Sequence, residues 1–192
     1  MRAIAIALLL VFCGVVSAAA AERRILVLAP TAADGRLAAS HEAIRYWNGL
    51  LSDLGLELRL GAPRVVVESP VARALENYAR LIAQRAFRLP AGDAEPRPPD
   101  ALTSLDADIV VLLSRQDIMS FTWPMPRVRP PRYFIVIRSV RGPYRNDAMV
   151  SRHVVAHELG HAIGLGHNND PHALMCGPCQ PLTAESDATG FL

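Results

Sequence analysis

Residues 157–167 read His-Glu-Leu-Gly-His-Ala-Ile-Gly-Leu-Gly-His, and no other stretch restricts what the chain can fold into as tightly. On a helix, positions four apart share a face, with side chains about 6 Å from one another. His157 and His161 therefore present their imidazoles together. Gly164 is placed to end that helix, because glycine adopts the left-handed backbone that turns a chain sharply. The turn brings His167 back toward the first two histidines. Three neutral imidazoles converging on one point are the nitrogen set of a metal site that keeps a fourth, tetrahedral position open. Zinc suits such a set best, although imidazoles also suit other transition metals. A surface helix that carries histidines by chance has no reason to place a glutamate and a glycine in this register.

An open coordination position marks a catalytic site and not a closed structural one. Water bound by zinc has its pKa lowered toward about 7. Glu158, next to a ligand, is placed to take that water's proton as it attacks a carbonyl and to pass the proton to the leaving amine. The expected activity is therefore hydrolysis of peptide bonds in a protein or peptide substrate by a zinc endopeptidase. Two rivals belong to other classes. A zinc-binding module of the same fold, without catalysis, would have no use for Glu158. A thiol–disulfide oxidoreductase would use Cys176 and Cys179 in Cys176-Gly177-Pro178-Cys179.

The pattern His-Glu-x-x-His-x-x-Gly-x-x-His resembles the metzincin clan of zinc endopeptidases. Ala173-Leu174-Met175, with Met175 eight positions beyond His167, is similar to the methionine turn of the matrixin branch, the matrix-metalloprotease-like family. Leu182-Thr183 and Asp187-Ala188-Thr189-Gly190-Phe191 resemble the start of the matrixin C-terminal helix. The resemblance is strong over residues 153–191 and elsewhere concerns only the order of elements. It implies an α/β (α+β) domain with a metzincin-like twisted mixed sheet, an active-site helix and a short C-terminal subdomain. It also implies that Met175 is a structural floor beneath the metal and not a ligand. No cysteine lies between Glu22 and Met175, so latency through a propeptide cysteine on the metal is not expected.

The remaining elements follow from periodicity. Residues 25–28 and 108–113 are apolar runs that read as buried strands, and 133–140 reads as another. Apolar residues at helical spacing over 37–54, closed by Gly55, predict a first helix. Residues 56–60 alternate with period two and predict a half-buried strand, which 65–67 continue or follow. Ser69-Pro70 opens a helix running to about residue 88. That helix has no expected place among the early strands of the family, so 69–89 is a candidate insertion. Residues 91–100 form a loop. Residues 122–132 carry four prolines, which confines them to an exposed loop or an edge strand. The active-site helix is expected over about 148–164.

The N-terminus has its own logic. Arg2, an apolar run over 4–16 and the small residues 17–21 before Glu22-Arg23-Arg24 form the three-part pattern of a secretory signal peptide. The apolar run is shorter than the roughly 20 residues that span a bilayer. Residues 1–21 are therefore expected to be removed, leaving 22–192 as one domain without a membrane span, secreted or periplasmic. In such a compartment Cys176 and Cys179 are most simply a disulfide that stiffens the loop beside the site; redox activity and metal binding are the other readings. Hydrophobic residues make up 51% and charged residues 20%, which excludes a disordered chain. The net charge of +2 is too small to argue for nucleic acid as a partner. His153 and His172 are expected as a polar neighbour and a loop residue, and Trp123 as packed beneath the proline loop.

Overall fold

Three apolar segments build the centre of the structure, and their alternation shows why a sheet forms there. The computed structural model describes residues 22–86, 96–125, 131–139 and 148–177. In chain order the elements are β1 (Glu22–Arg23), β2 (Ile25–Ala29), α1 (Arg36–Asp53), β3 (Arg59–Leu60), β4 (Arg64–Val67) and α2 (Pro70–Ala86). They are followed by α3 (Asp100–Thr103), β5 (Ile109–Leu113), β6 (Phe121–Met125), β7 (Arg132–Ile137) and α4 (Ala148–Ala162).

The main sheet has the order β4-β2-β5-β7-β6, with β6 antiparallel to β7 and the other pairs parallel. Along β2, β5 and β7 successive side chains point to opposite faces. Ile25, Val27, Ile109, Val111, Leu113, Ile135 and Ile137 lie in one core with residues of α1 and α4. Leu26, Leu28, Val110, Leu112, Phe134 and Val136 lie in the other with residues of α2 and α3. Both faces are covered, which is why these strands read as unbroken apolar runs. The mixed sheet and its helices fit the expected α/β (α+β) metzincin-like class. Among the described residues no helix is long and apolar enough to cross a membrane.

The helix expected from Ser69 is present as α2, and it crosses from edge strand β4 to β5 over the sheet face opposite the histidines. The proline-rich stretch supplies edge strand β6, with Pro124 inside it opposite Tyr133, as the missing amide of proline requires. One expectation is corrected. Residues 56–60 do not form a half-buried strand; only Arg59–Leu60 is extended, and it pairs with β1 outside the main sheet. The cause lies in the end of α1, where Gly55 adopts φ 68° and the amides of Gly55 and Leu56 bond back to Ser52 and Leu51. Those bonds commit the backbone to a C-terminal cap and leave Leu56 at the surface.

The C-terminal ends of β5 and β7 are tied by one buried cation. Arg36, the first residue of α1, donates from Nη1 to the carbonyls of Ser114, Ile137 and Arg138 at 2.9, 2.9 and 2.8 Å. Its Nε and Nη2 grip the Asp34 carboxylate at 2.9 and 2.6 Å. One guanidinium thus joins the ends of β5 and β7 to the start of α1. Desolvation pushes the Asp34 carboxyl upward, but the hydrogen bonds and charge of Arg36 outweigh it and hold the group below the usual carboxylate range. The folded pKa is below the unfolded value of about 3.9, so this stabilisation is complete above that value and is lost as pH falls through the folded one. Asp34→Asn is expected to lower stability at pH 7 by about 2 kcal/mol in urea titration. The gap to wild type should narrow as pH falls below about 4; equal stability at pH 7 would contradict the role given to this pair.

Candidate metal centre

Helix α4 is buried along one side, where Val155, Ala156, Leu159 and Ala162 enter the core with α1 and the sheet. The same helical repeat turns His157 and His161 toward the other side, where both are half-buried. Gly164 follows the helix at φ 102°, a backbone that L side chains rarely adopt, and the reversal returns His167 to the pair. The three Nε2 atoms form a nearly equilateral triangle: 3.1 Å from His157 to His167, 3.2 Å from His157 to His161 and 3.1 Å from His161 to His167. Together they form a group able to hold a metal ion.

The hydrogen bonds of the rings explain why this triangle calls for a cation. His157 Nδ1 lies 2.8 Å from the carbonyl oxygen of Leu174, and His161 Nδ1 lies 2.8 Å from that of Leu165. A carbonyl oxygen only accepts, so each Nδ1 carries the proton and each Nε2 presents a lone pair. Lone pairs facing one another at 3.2 Å repel unless a positive centre lies among them. A tetrahedral zinc with bonds of about 2.0–2.1 Å separates its nitrogen ligands by about 3.3 Å, close to the distances present. The residues therefore fit the metal. Burial pushes the His157 pKa down, against the Leu174 bond and together with the charge of His167, which favours the neutral ligand form.

The methionine turn supports this arrangement at several points. Leu174 orients His157 through its carbonyl, as above. Met175 is buried beneath the helix against Gly160, where an added Cβ would stand 2.4 Å from Sδ. The amides of Asn168 and Gly177 bond the carbonyls of Met175 and Asn168, so the segment just after His167 is bridged to the turn. Gly177 then stands close beside the His167 ring.

Glu158 is only 6% exposed, on the side of α4 that faces β6. Thr122 of β6 places its hydroxyl 2.8 Å from Glu158 Oε2 and 2.7 Å from the Glu158 carbonyl oxygen. Burial raises the Glu158 carboxyl pKa above its ordinary value, and the Thr122 bond and the charge of His161 offset only part of the rise. Thr122 was not singled out in the sequence, where it is one residue of a proline-rich stretch; its strand parity is the signal that would have found it.

The other residues weighed have plainer places. His153 bonds within its own helix to the Met149 carbonyl. The His172 amide bonds the Asp170 side chain in an exposed loop. Trp123 packs against the α2-side core. Cys176 is buried directly after Met175, while its expected disulfide partner Cys179 lies outside the described residues, as do the expected leader at 1–21 and the C-terminal segment from 182.

The contact at Gly177 has a measurable consequence. A Cβ there would lie 2.7 Å from His167 Cγ and 2.8 Å from its Nδ1, so the ring must move. Gly177→Ala is expected to weaken zinc binding by about 10- to 100-fold, read by competition with a chromophoric chelator. Unchanged affinity would show that the ring does not depend on this support.

Comparison with known proteins places the constellation in a family. The chain aligns with metalloproteinase-II from Bacteroides fragilis over 88% of its length at 15% identity, with a TM-score of 0.47. It spans 51%, about half, of that protein's chain. A zinc-dependent peptidase from Methanocorpusculum labreanum aligns over 88% of this chain and 94% of its own at 17% identity, with a TM-score of 0.36. No curated protein sequence matches. The family model for Peptidase M10, matrixin, matches residues 75–187, a span that takes in the sheet from β5 onward, the three histidines, Glu158 and the methionine turn. On that match, over more than half its length, the chain belongs to the matrixin family of metallopeptidases.

Proposed function

We propose that this chain is an exported, zinc-dependent endopeptidase in which His157, His161 and His167 hold the metal and Glu158 is the general base. The observation that carries the reading is the Nε2 triangle of 3.1–3.2 Å with a buried carboxylate one residue from its first member. Zinc, when bound, supplies Lewis acidity toward a water and a carbonyl. The chain's own groups do the rest. Leu174 and Leu165 keep the two helical imidazoles in the tautomer that ligates. Burial keeps the Glu158 carboxyl a stronger base than an exposed glutamate and places its proton uptake nearer neutral pH. Glu158 takes the proton of the attacking water and delivers it to the departing amine nitrogen.

Export rests on the leader pattern of residues 1–21. In an oxidising compartment Cys176 and Cys179 would close a small ring beside the methionine turn. The paired test is zinc per chain and cleavage of a mixed peptide library, for wild type and Glu158→Ala. About one zinc per chain in both is expected, with cleavage reduced at least about a hundredfold in the variant. Zinc in both with cleavage by neither would instead favour the silent zinc-binding module. Absence of zinc from both would overturn the metal assignment.

A further inference from the structure

Strand β6 does more than close the sheet. Its residues alternate between faces, so Phe121, Trp123 and Met125 join the core on the α2 side. Thr122 is thereby directed to the opposite face, where α4 runs. It is paired with Ile135, which belongs to the core on that face. The result is a hydroxyl fixed on the sheet edge and aimed at the Glu158 carboxylate, 36 positions away in sequence.

We propose that Thr122 is a positioning residue that holds the Glu158 carboxylate in one place through the proton-transfer cycle; this rests on the reading of Glu158 as the base. The geometry suits that task for a reason of hydrogen-bond inventory. A hydroxyl has one proton to give and can also accept. When Glu158 is ionised, the Thr122 hydroxyl donates to Oε2 at 2.8 Å. When Glu158 takes a proton on Oε1, Oε2 keeps its acceptor capacity and the Thr122 hydroxyl goes on donating to it; the Glu158 carbonyl, 2.7 Å away, is a second acceptor on the same hydroxyl. Both forms are satisfied by the same hydroxyl, with no movement of the carboxylate. β6 itself is anchored beyond Thr122, because the Arg138 amide at the end of β7 donates to Ser120 Oγ at 3.0 Å. Ordinary rotamer freedom of a glutamate on a helix is thus removed from the side of the sheet.

The test uses the zinc-loaded full chain with Thr122→Val, which keeps the shape and removes the hydroxyl, and Thr122→Ser, which keeps the hydroxyl. Thr122→Ala replaces the valine variant if that one fails to fold. Kinetics on a cleaved peptide and crystal structures of the variants are both read. In Thr122→Val, kcat should fall about 10- to 100-fold with KM and zinc content unchanged, and Thr122→Ser should restore kcat to near wild type. The carboxylate should leave its place in the valine variant and keep it in the serine variant. A valine variant with wild-type kcat, or with an unmoved carboxylate, would overturn the proposal. If the wild type cleaves no peptide, the endopeptidase reading fails separately, and the carboxylate position in the two structures still decides whether Thr122 holds Glu158.

Discussion

At Gly160 two segments distant in sequence, α1 and the methionine turn, close on one backbone position of α4, and the site depends on that approach. A Cβ there would stand 2.4 Å from Met175 Sδ and 3.0 Å from Trp47 Cζ2. Glycine lets the methionine turn rise against α4 from one side while α1 presses from another. Trp47 completes the contact by donating its indole N–H to the Ala156 carbonyl at 2.8 Å. A buried indole needs such a partner, and here the partner is the helix that carries the histidines. The active-site helix is therefore clamped by packing and by one directed hydrogen bond.

From that clamp follows the electrostatic design. With the methionine turn seated, the Leu174 carbonyl reaches His157 and Gly177 lies against His167. With α4 held on the sheet, Glu158 is buried beside β6 and within reach of Thr122. Burial acts oppositely on the two kinds of group, because it disfavours whichever form carries charge. It moves His157 toward the neutral imidazole that binds metal, and it moves Glu158 toward stronger basicity. One low-dielectric setting would serve both proposed roles.

The sheet beneath is made rigid by covering both faces. α2 is part of that covering: Leu75, Tyr78, Ala79 and Ile82 seal the side away from the histidines. Its Glu76 accepts from the Ser114 hydroxyl at 2.6 Å, the Arg115 amide at 2.6 Å and the Gln116 side chain at 2.6 Å. The segment that leads from β5 to edge strand β6 is thus held from the far side of the sheet, while Arg36 holds the ends of β5 and β7 from the near side. Both anchors lie on the segments that flank edge strand β6, which meets Glu158 through Thr122.

The features legible in the sequence are those with a local period or a local backbone demand. His157 and His161 share a face because they are four apart on a helix, and Gly164 ends that helix because of its φ of 102°. The central strands are legible as apolar runs, and the prolines of 122–132 confine that stretch to an edge. Residues 56–60 misled because their alternation is a genuine strand pattern, overridden by the cap that Gly55 imposes on the preceding helix. Only the tertiary structure decided that Leu174 and Leu165 supply the carbonyls, that Gly177 backs His167, and that Thr122 meets Glu158. Each of these is a contact between segments whose spacing in the chain carries no period. Which face Thr122 takes depends on the register of β6 against β7, where a slip of one residue would turn it away from the helix. Periodicity is written along a chain, but register is settled only when two segments pack.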